Sequence, residues 1–224
     1  SFFQFFFFFM HFFICGIFNV YYFISLSLHT AYIRTVLARC EVRETVAYIP
    51  CRKRNFTGRN NFAECGDVIG SSGVTVGCGL DLGQQSVDDL RRMRIDDDII
   101  ALLSKYCLKK IDDAVKILSD APLTLTDAQC DAVNDAVHDD YIRRAAIAYD
   151  GAMPDAPFAL IPAQAQAVIV SLFYQLGSGV TQYPKTFQYL INADWAHAAH
   201  ELETGFARFT TRRKAEAQLL REIA

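Results

Sequence analysis

Four glycines within eleven residues, Gly73, Gly77, Gly79 and Gly83, constrain this chain more than any other feature. They belong to the stretch from Ser71 to Gln85, SSGVTVGCGLDLGQQ. Between the first two sit Val74, Thr75 and Val76, β-branched residues that alternate as a short strand does. Glycine admits positive φ and close backbone approach, so the spacing predicts a tight, twisted hairpin and not a helix. Such a frame can fix a hydroxyl, Thr75, and a carboxylate, Asp81, six residues apart. It is not a phosphate loop, because no Lys follows the glycines as that motif requires. On spacing alone, a plain Gly-rich hairpin accounts for the pattern equally well.

Around this stretch the chain reads as mainly helical. Residues 29–40 place Ile33, Val36, Leu37 and Cys40 at the spacing of one helical face. Pro50 then forbids helix, and Val46 to Ile49 reads as extended, so Glu41 falls where a helix ends and the chain turns. After Gln85, Ser86 and Asp96 can cap two short helices, and a third runs over about 109–118. Thr126 and Gln129 form a capping-box pattern opening a long helix with Ala132, Val133, Ala136 and Val137 as its apolar stripe. Asp139 and Asp140 read as a solvated acidic pair. Residues 162–176 form the most apolar helix, ending at Gly177; its Gln164, Gln166 and Gln175 argue for a buried central helix over a membrane span. Two short helices and a closing one fill the remainder.

Composition excludes more than it identifies. A net charge of −3 gives no support to nucleic-acid binding. The seven cysteines include no C-x-x-C pair, and the five histidines make no H-E-x-x-H, so a metal site has little support. His197 and His200 read as helix-surface residues. Cys51 and Cys65 could bridge a loop in an oxidising compartment. The basic cluster Arg52, Lys53, Arg54 and Arg59 reads as a solvated loop.

The residues from Gly73 to Gln84, GVTVGCGLDLGQ, resemble the G-V-T-[IV]-G-x-G-x-D-L-G-Q signature of the pesticin-like muramidases, a lysozyme-like family related to phage lysozymes. Residues 171–177 resemble an element of the central helix in phage lysozymes, and residues 211–220 the family's closing R-R-x-x-E-x-x-L helix. The resemblance implies an α+β, mainly α, lysozyme-like fold with a small β-hairpin lobe (about 45–85) packed on a helical lobe. In that family a catalytic Glu ends the first helix and is followed by a segment reading Tyr-Val-Pro. Tyr48-Ile49-Pro50 matches that segment, which makes Glu41 the candidate acid, with Val42 standing where the family often has Gly. Glu44 and Glu64 are the alternatives.

What the resemblance implies chemically is cleavage of the β-1,4 bond between N-acetylmuramic acid and N-acetylglucosamine in peptidoglycan. An acid must protonate the leaving oxygen while a second group supports attack on the oxocarbenium-like centre. Glu41 takes the first role; Asp81 and Thr75 hold the attacking water, which implies inversion. Peptidoglycan glycan strands are the expected partner, with an immunity protein and a membrane contact through residues 1–28 as further expectations. No metal or organic cofactor is expected. Action in the periplasm or cell wall follows, after secretion or delivery. Two other classes stay open: a wall-binding module without catalysis, and a membrane-anchored interaction protein.

The amino-terminal run stands apart. No Asp, Glu, Lys or Arg occurs from Ser1 to Ile33, and eleven of the eighteen Phe lie in the first 23 residues. Residues 2–28 are long enough to cross a bilayer as a helix. The low-complexity run from Phe5 to Phe9 fits equally well with a translation extended upstream of the true start. The domain organisation expected is therefore a hydrophobic segment at 1–28 and one lysozyme-like domain at 29–224. A chain starting at His29 is predicted to unfold cooperatively and to keep full activity; thermal unfolding followed by circular dichroism checks this, and loss of the cooperative transition would place residues 1–28 in the core.

Overall fold

The computed structural model describes residues 29–39, 43–153, 156–177, 183–207 and 209–224. The hydrophobic run 1–28 lies outside them, and so does Glu41. The described residues cluster into two units, one within 37–143 and one made of 29–36 with those from Arg144 on. Helix α1 (29–39) buries Ile33, Val36 and Leu37, the face that its apolar spacing predicts.

The unit of residues 37–143 is built on a three-stranded antiparallel sheet, β1 (Glu44–Tyr48), β2 (Thr75–Gly77) and β3 (Leu80–Asp81), in that spatial order. Its inner residues Ala47, Val74, Val76 and Leu80 are buried. The register pairs Glu44 with Gly77 and Tyr48 with Thr75, with an irregularity between the two pairs. On its other side β1 is bonded to the segment before the long helix: the Ala47 N–H donates to Leu123 O (3.0 Å) and the Leu125 N–H to Thr45 O (2.9 Å). Helices α2 (Val87–Arg92), α3 (Asp97–Leu103) and α4 (Ile111–Asp120), with the first part of α5 (Asp127–Ala152), cluster with this sheet. The sheet-bearing unit therefore does not stop near residue 85, because backbone bonds carry β1 across to residues 123–125.

Segment 50–72, whose basic cluster reads as a solvated loop, is tied down at several points. Ile49 pairs with Phe56 and Cys51 with Val68 as isolated antiparallel bridges. Gly58, at φ +75°, sits where a Cβ would overlap the Leu118 carbonyl. Arg52, Arg54 and Arg59 engage Asp67, Glu64 and Thr124. Cys51 and Cys65, weighed above as a bridge, are free thiols, as are Cys107 and Cys130. The Cys51 thiol donates to Ile49 O (3.4 Å) and the Cys65 thiol to Asn61 O (3.4 Å), so backbone carbonyls satisfy both.

Capping decides the helix starts. Ser86 and Asp89 form a reciprocal capping box on α2, and Thr126 with Gln129 forms one on α5 through bonds of 3.0 and 3.2 Å. Asp96 makes no side-chain cap bond, so its contribution to α3 is restricted to the charge it places at the positive helix end. On α5 the buried face takes in Val133 and Val137, as the stripe predicts, but also Asn134, His138 and Asp140. Asp140 is therefore not solvated: it is buried and paired with Arg143 one turn on, whereas Asp139 is exposed.

The other unit is helical in its described part. Helix α6 (Ala163–Leu176) buries every residue from Ala165 to Phe173 and ends at Gly177 with φ +55°. Helices α7 (Pro184–Ile191) and α8 (Trp195–Thr204) follow; His197 pairs with Asp194 (2.8 Å) and His200 is exposed. Helix α9 (Thr210–Arg221) carries Glu216, whose Oε1 accepts from Ser171 Oγ (2.5 Å). Burial pushes the Glu216 carboxyl up, against the opposing pull of Arg213, Ser171 and Arg212.

The α2 cap provides a pH test. The Asp89 carboxylate accepts from the Ser86 N–H and hydroxyl, both at 2.7 Å, and from Arg92. These donors hold its pKa at about 2, below the ordinary 3.8. A depressed carboxylate pKa adds stability that is complete above the unfolded value and is lost as pH falls through the folded one. Asp89→Asn is therefore expected to lower the midpoint of thermal unfolding at pH 7. Its difference from the wild type should shrink steadily between about pH 4 and pH 2, as followed by circular dichroism.

Candidate active site

Each glycine of the 73–83 stretch answers a particular geometric demand. Gly77 and Gly79 turn the β2–β3 hairpin with φ of +59° and +105°. Gly73 and Gly83 do something different: they face each other, and a Cβ on Gly73 would come within 2.6 Å of the Gly83 Cα and would overlap the Lys109 carbonyl. Any side chain at either position would force the two backbone segments apart. Their closeness lets one carboxylate serve both, since Asp81 Oδ1 accepts the Gly73 N–H and the Gly83 N–H, each at 2.9 Å. Neither bond uses Oδ2. The side chain of Gln84 closes the same frame by donating to Ser71 O (2.8 Å) while its Oε1 accepts from Lys110 Nζ (3.0 Å).

A strap outside the hairpin braces it. Gly73 bridges to Lys110, the Leu108 N–H donates to Leu82 O (2.9 Å) and the Ile111 N–H to Ser72 O (3.1 Å). Leu108 and Ile111 adopt φ of +60° and +48°, a region that penalises residues with a Cβ by roughly 1–2 kcal/mol. The strap holds that conformation through its bonds to both ends of the hairpin.

The structure brings Thr75 and Asp81 together. They are direct cross-strand partners in the β2–β3 pair, so their side chains share one face of the sheet. Thr75 is buried and Asp81 half-buried. The Thr75 hydroxyl donates to Gly73 O at 3.4 Å, a long bond that a better-placed acceptor can displace. Tyr48 lies opposite Thr75 on the other side, so Tyr48, Thr75 and Asp81 form one row across the sheet.

The three glutamates fare differently. Glu41 lies outside the described residues. Two positions on, Arg43 is fastened to α5: its Nε donates to Asp131 Oδ1 (2.7 Å) and its Nη2 to Asp127 Oδ1 (2.9 Å). The carboxylates of Asp131 and Asp127 push the Arg43 pKa above the ordinary arginine value. Glu44 opens β1 opposite Gly77, and the register shifts between that pair and the Tyr48–Thr75 pair. Glu64 ends a single 3-10 turn (Phe62–Glu64), is exposed, and bonds Arg54 and Asn61 within its own loop.

Sequence reasoning missed Asn134. This buried residue of α5 accepts the Cys78 N–H at 2.8 Å, at the turn of the hairpin. The one available signal was a polar residue inside an otherwise apolar helical stripe.

A small antiparallel sheet carrying a Thr–Asp pair within a mainly helical chain is a lysozyme-like arrangement. Residues 47–196 match the Pesticin family, described as a bacterial toxin homologue of phage lysozyme, C-term. The match takes in more than half of the chain, and the protein belongs to this family. It contains Glu64, Thr75, Asp81 and Asn134 and begins after Glu41 and Glu44. No curated protein matches the chain.

The facing glycines yield a direct test. Gly83→Ala puts a methyl 2.8 Å from the Gly73 Cα, where backbone and not a yielding side chain must move. Overpacking of this kind costs about 1–3 kcal/mol. The variant is expected to melt several degrees below the wild type by calorimetry; an unchanged midpoint would show that the two segments can separate freely.

Proposed function

We propose that this protein is a muramidase that hydrolyses the β-1,4 bond between N-acetylmuramic acid and N-acetylglucosamine in peptidoglycan, with inversion at the anomeric carbon. The observation that carries the reading is the cross-strand pair of Thr75 and Asp81, with the carboxylate aimed by two amides. Because Oδ1 is taken by Gly73 and Gly83, Oδ2 is the atom that polarises the attacking water. The Thr75 hydroxyl gives that water its second contact. Membership in a family of phage-lysozyme homologues supports the same reaction class. The substrate is cell wall, so the protein acts in the periplasm or the wall.

Glu41 is the acid in this proposal. It immediately precedes the segment that Arg43 ties to α5, and its register before Tyr48-Ile49-Pro50 fits the family. Glu44 is the second reading, favoured by its place on β1, the strand that pairs with the Thr75 strand. The two carboxyl groups of an inverting pair must leave room for water, about 6.5–9.5 Å apart.

Release of reducing ends from purified peptidoglycan tests the reaction. Asp81→Asn preserves the shape of the acceptor and removes the charge, so hydrolysis is expected to fall by about 10²-fold or more in a folded protein. Glu41→Gln is expected to fall by about 10²–10⁴-fold, with Glu44→Gln and Glu64→Gln close to wild type. A folded, inactive Glu44→Gln beside an active Glu41→Gln moves the acid to β1. Proton NMR of the first-formed reducing sugar decides the stereochemistry: the α-anomer is expected, and an initial β-anomer means retention and removes the water held by Asp81 and Thr75.

A further inference from the structure

Asn134 has no part in the chemistry proposed above, yet its side chain holds the turn between Thr75 and Asp81 onto helix α5. Its Oδ1 accepts the Cys78 N–H at 2.8 Å, across 56 residues of sequence. Its Nδ2 points to Cys130 Sγ (3.7 Å), one turn earlier on the same helix, which fixes which end of the amide faces the hairpin. The residue is 8% exposed, so an unpaired amide here would meet little solvent. Gly77 leans against the same oxygen: a Cβ on Gly77 would overlap Asn134 Oδ1, and the next atoms it would meet are Asn134 Cγ at 3.3 Å and Val133 Cγ1 at 3.7 Å.

We infer that Asn134 is a positioning residue for the reaction, setting the height of the β2–β3 turn on α5 and so the register of Thr75 against Asp81. The hairpin has only two paired positions, Thr75 with Asp81 and Val76 with Leu80. So short a ladder does not hold its own twist, since an isolated two-stranded hairpin is marginal in water. The Asp81 bonds to Gly73 and Gly83 fix its open end. Asn134 fixes its closed end. With both ends fixed, the Thr75 hydroxyl and the Asp81 carboxylate keep one spacing, and a water held between them keeps one line of attack. A misplacement of about 1 Å at such a pair is worth about 10²-fold in rate.

The kinetic arm of the test rests on the muramidase reading; the exchange arm does not. In the full chain, Asn134→Leu keeps similar volume and loses the acceptor, and Asn134→Asp keeps an acceptor oxygen. Asn134→Leu is expected to lower kcat on purified peptidoglycan by about 10²-fold with little change in apparent KM. Amide exchange at Cys78 should quicken by roughly tenfold, while residues 135–143 of α5 keep their protection. Asn134→Asp should restore most of kcat and of the protection. Val137→Ala, at a buried position one turn on, lowers stability and should leave kcat and the Cys78 amide unchanged. If Asn134→Leu does not fold, Gly77→Ala drives a methyl into the same oxygen from the hairpin side and should give the same exchange and kcat changes. Unchanged Cys78 exchange in whichever of these two variants folds, or an Asn134→Asp as impaired as Asn134→Leu, overturns the inference. So does a kcat loss in Val137→Ala equal to that of Asn134→Leu. If the wild type releases no reducing ends, the muramidase reading fails and the exchange measurements alone decide what Asn134 does.

Discussion

One oxygen atom sets the geometry of the hairpin. Asp81 Oδ1 accepts two backbone amides, from Gly73 and Gly83, that would otherwise be left against each other inside a close backbone contact. Hydrogen bonds to a charged group are worth about 1.5–3 kcal/mol each, whereas the exposed ion pairs of the neighbouring loop contribute about 0–1 kcal/mol. The two amide bonds therefore outweigh the arginine contacts of segment 50–72. From that oxygen the rest follows in order. Both glycines must lack a Cβ, the strap 108–111 must bend into left-handed conformations to bond both segments, and Thr75 must come opposite the carboxylate.

Much of this was legible in the sequence because glycine leaves few physical explanations. Positive φ at Gly77 and Gly79 was readable from the hairpin spacing, and so was the Thr75–Asp81 frame. The helix starts were readable wherever a capping box supplies local bonds, as at Ser86 and Thr126. The reason for Gly73 and Gly83 was not, since they meet each other and Lys109, partners that lie outside any local window. The same holds for Asn134 and Asp140. An apolar stripe counts only apolar residues, so a buried amide or carboxylate satisfied by a distant amide or a nearby arginine drops out of the pattern. The strap was invisible for the opposite reason: Leu108 and Ile111 are ordinary residues in a conformation that their own preferences oppose, so tertiary bonds override local propensity there.

The sheet is small, and the bonds that hold it come from outside it. β1 borrows residues 123–125 as a further neighbour, and the β2–β3 turn borrows Asn134. Arg43 fastens the entry to β1 onto the first turns of α5 through Asp127 and Asp131. Helix α5 thus serves as the common reference for the start of the sheet and for the tip of its hairpin. Changes that rotate or shift its first two turns will be felt at Thr75 and Asp81 together.

The double engagement of Asp81 has a consequence for how such chains drift. Its carboxylate is needed to close the backbone around Gly73 and Gly83 whether or not a sugar is ever bound there. Selection for a folded hairpin therefore preserves the glycines and the aspartate even in a lineage that has stopped cutting its substrate. In the proposed reaction the acid takes no part in this closure, so it can be lost while the hairpin stays folded. Among chains sharing this hairpin, survival of the GVTVGCGLDLGQ pattern marks a common architecture, and under the proposed reaction it is the acid, Glu41 or Glu44, that would tell a living enzyme from a relic.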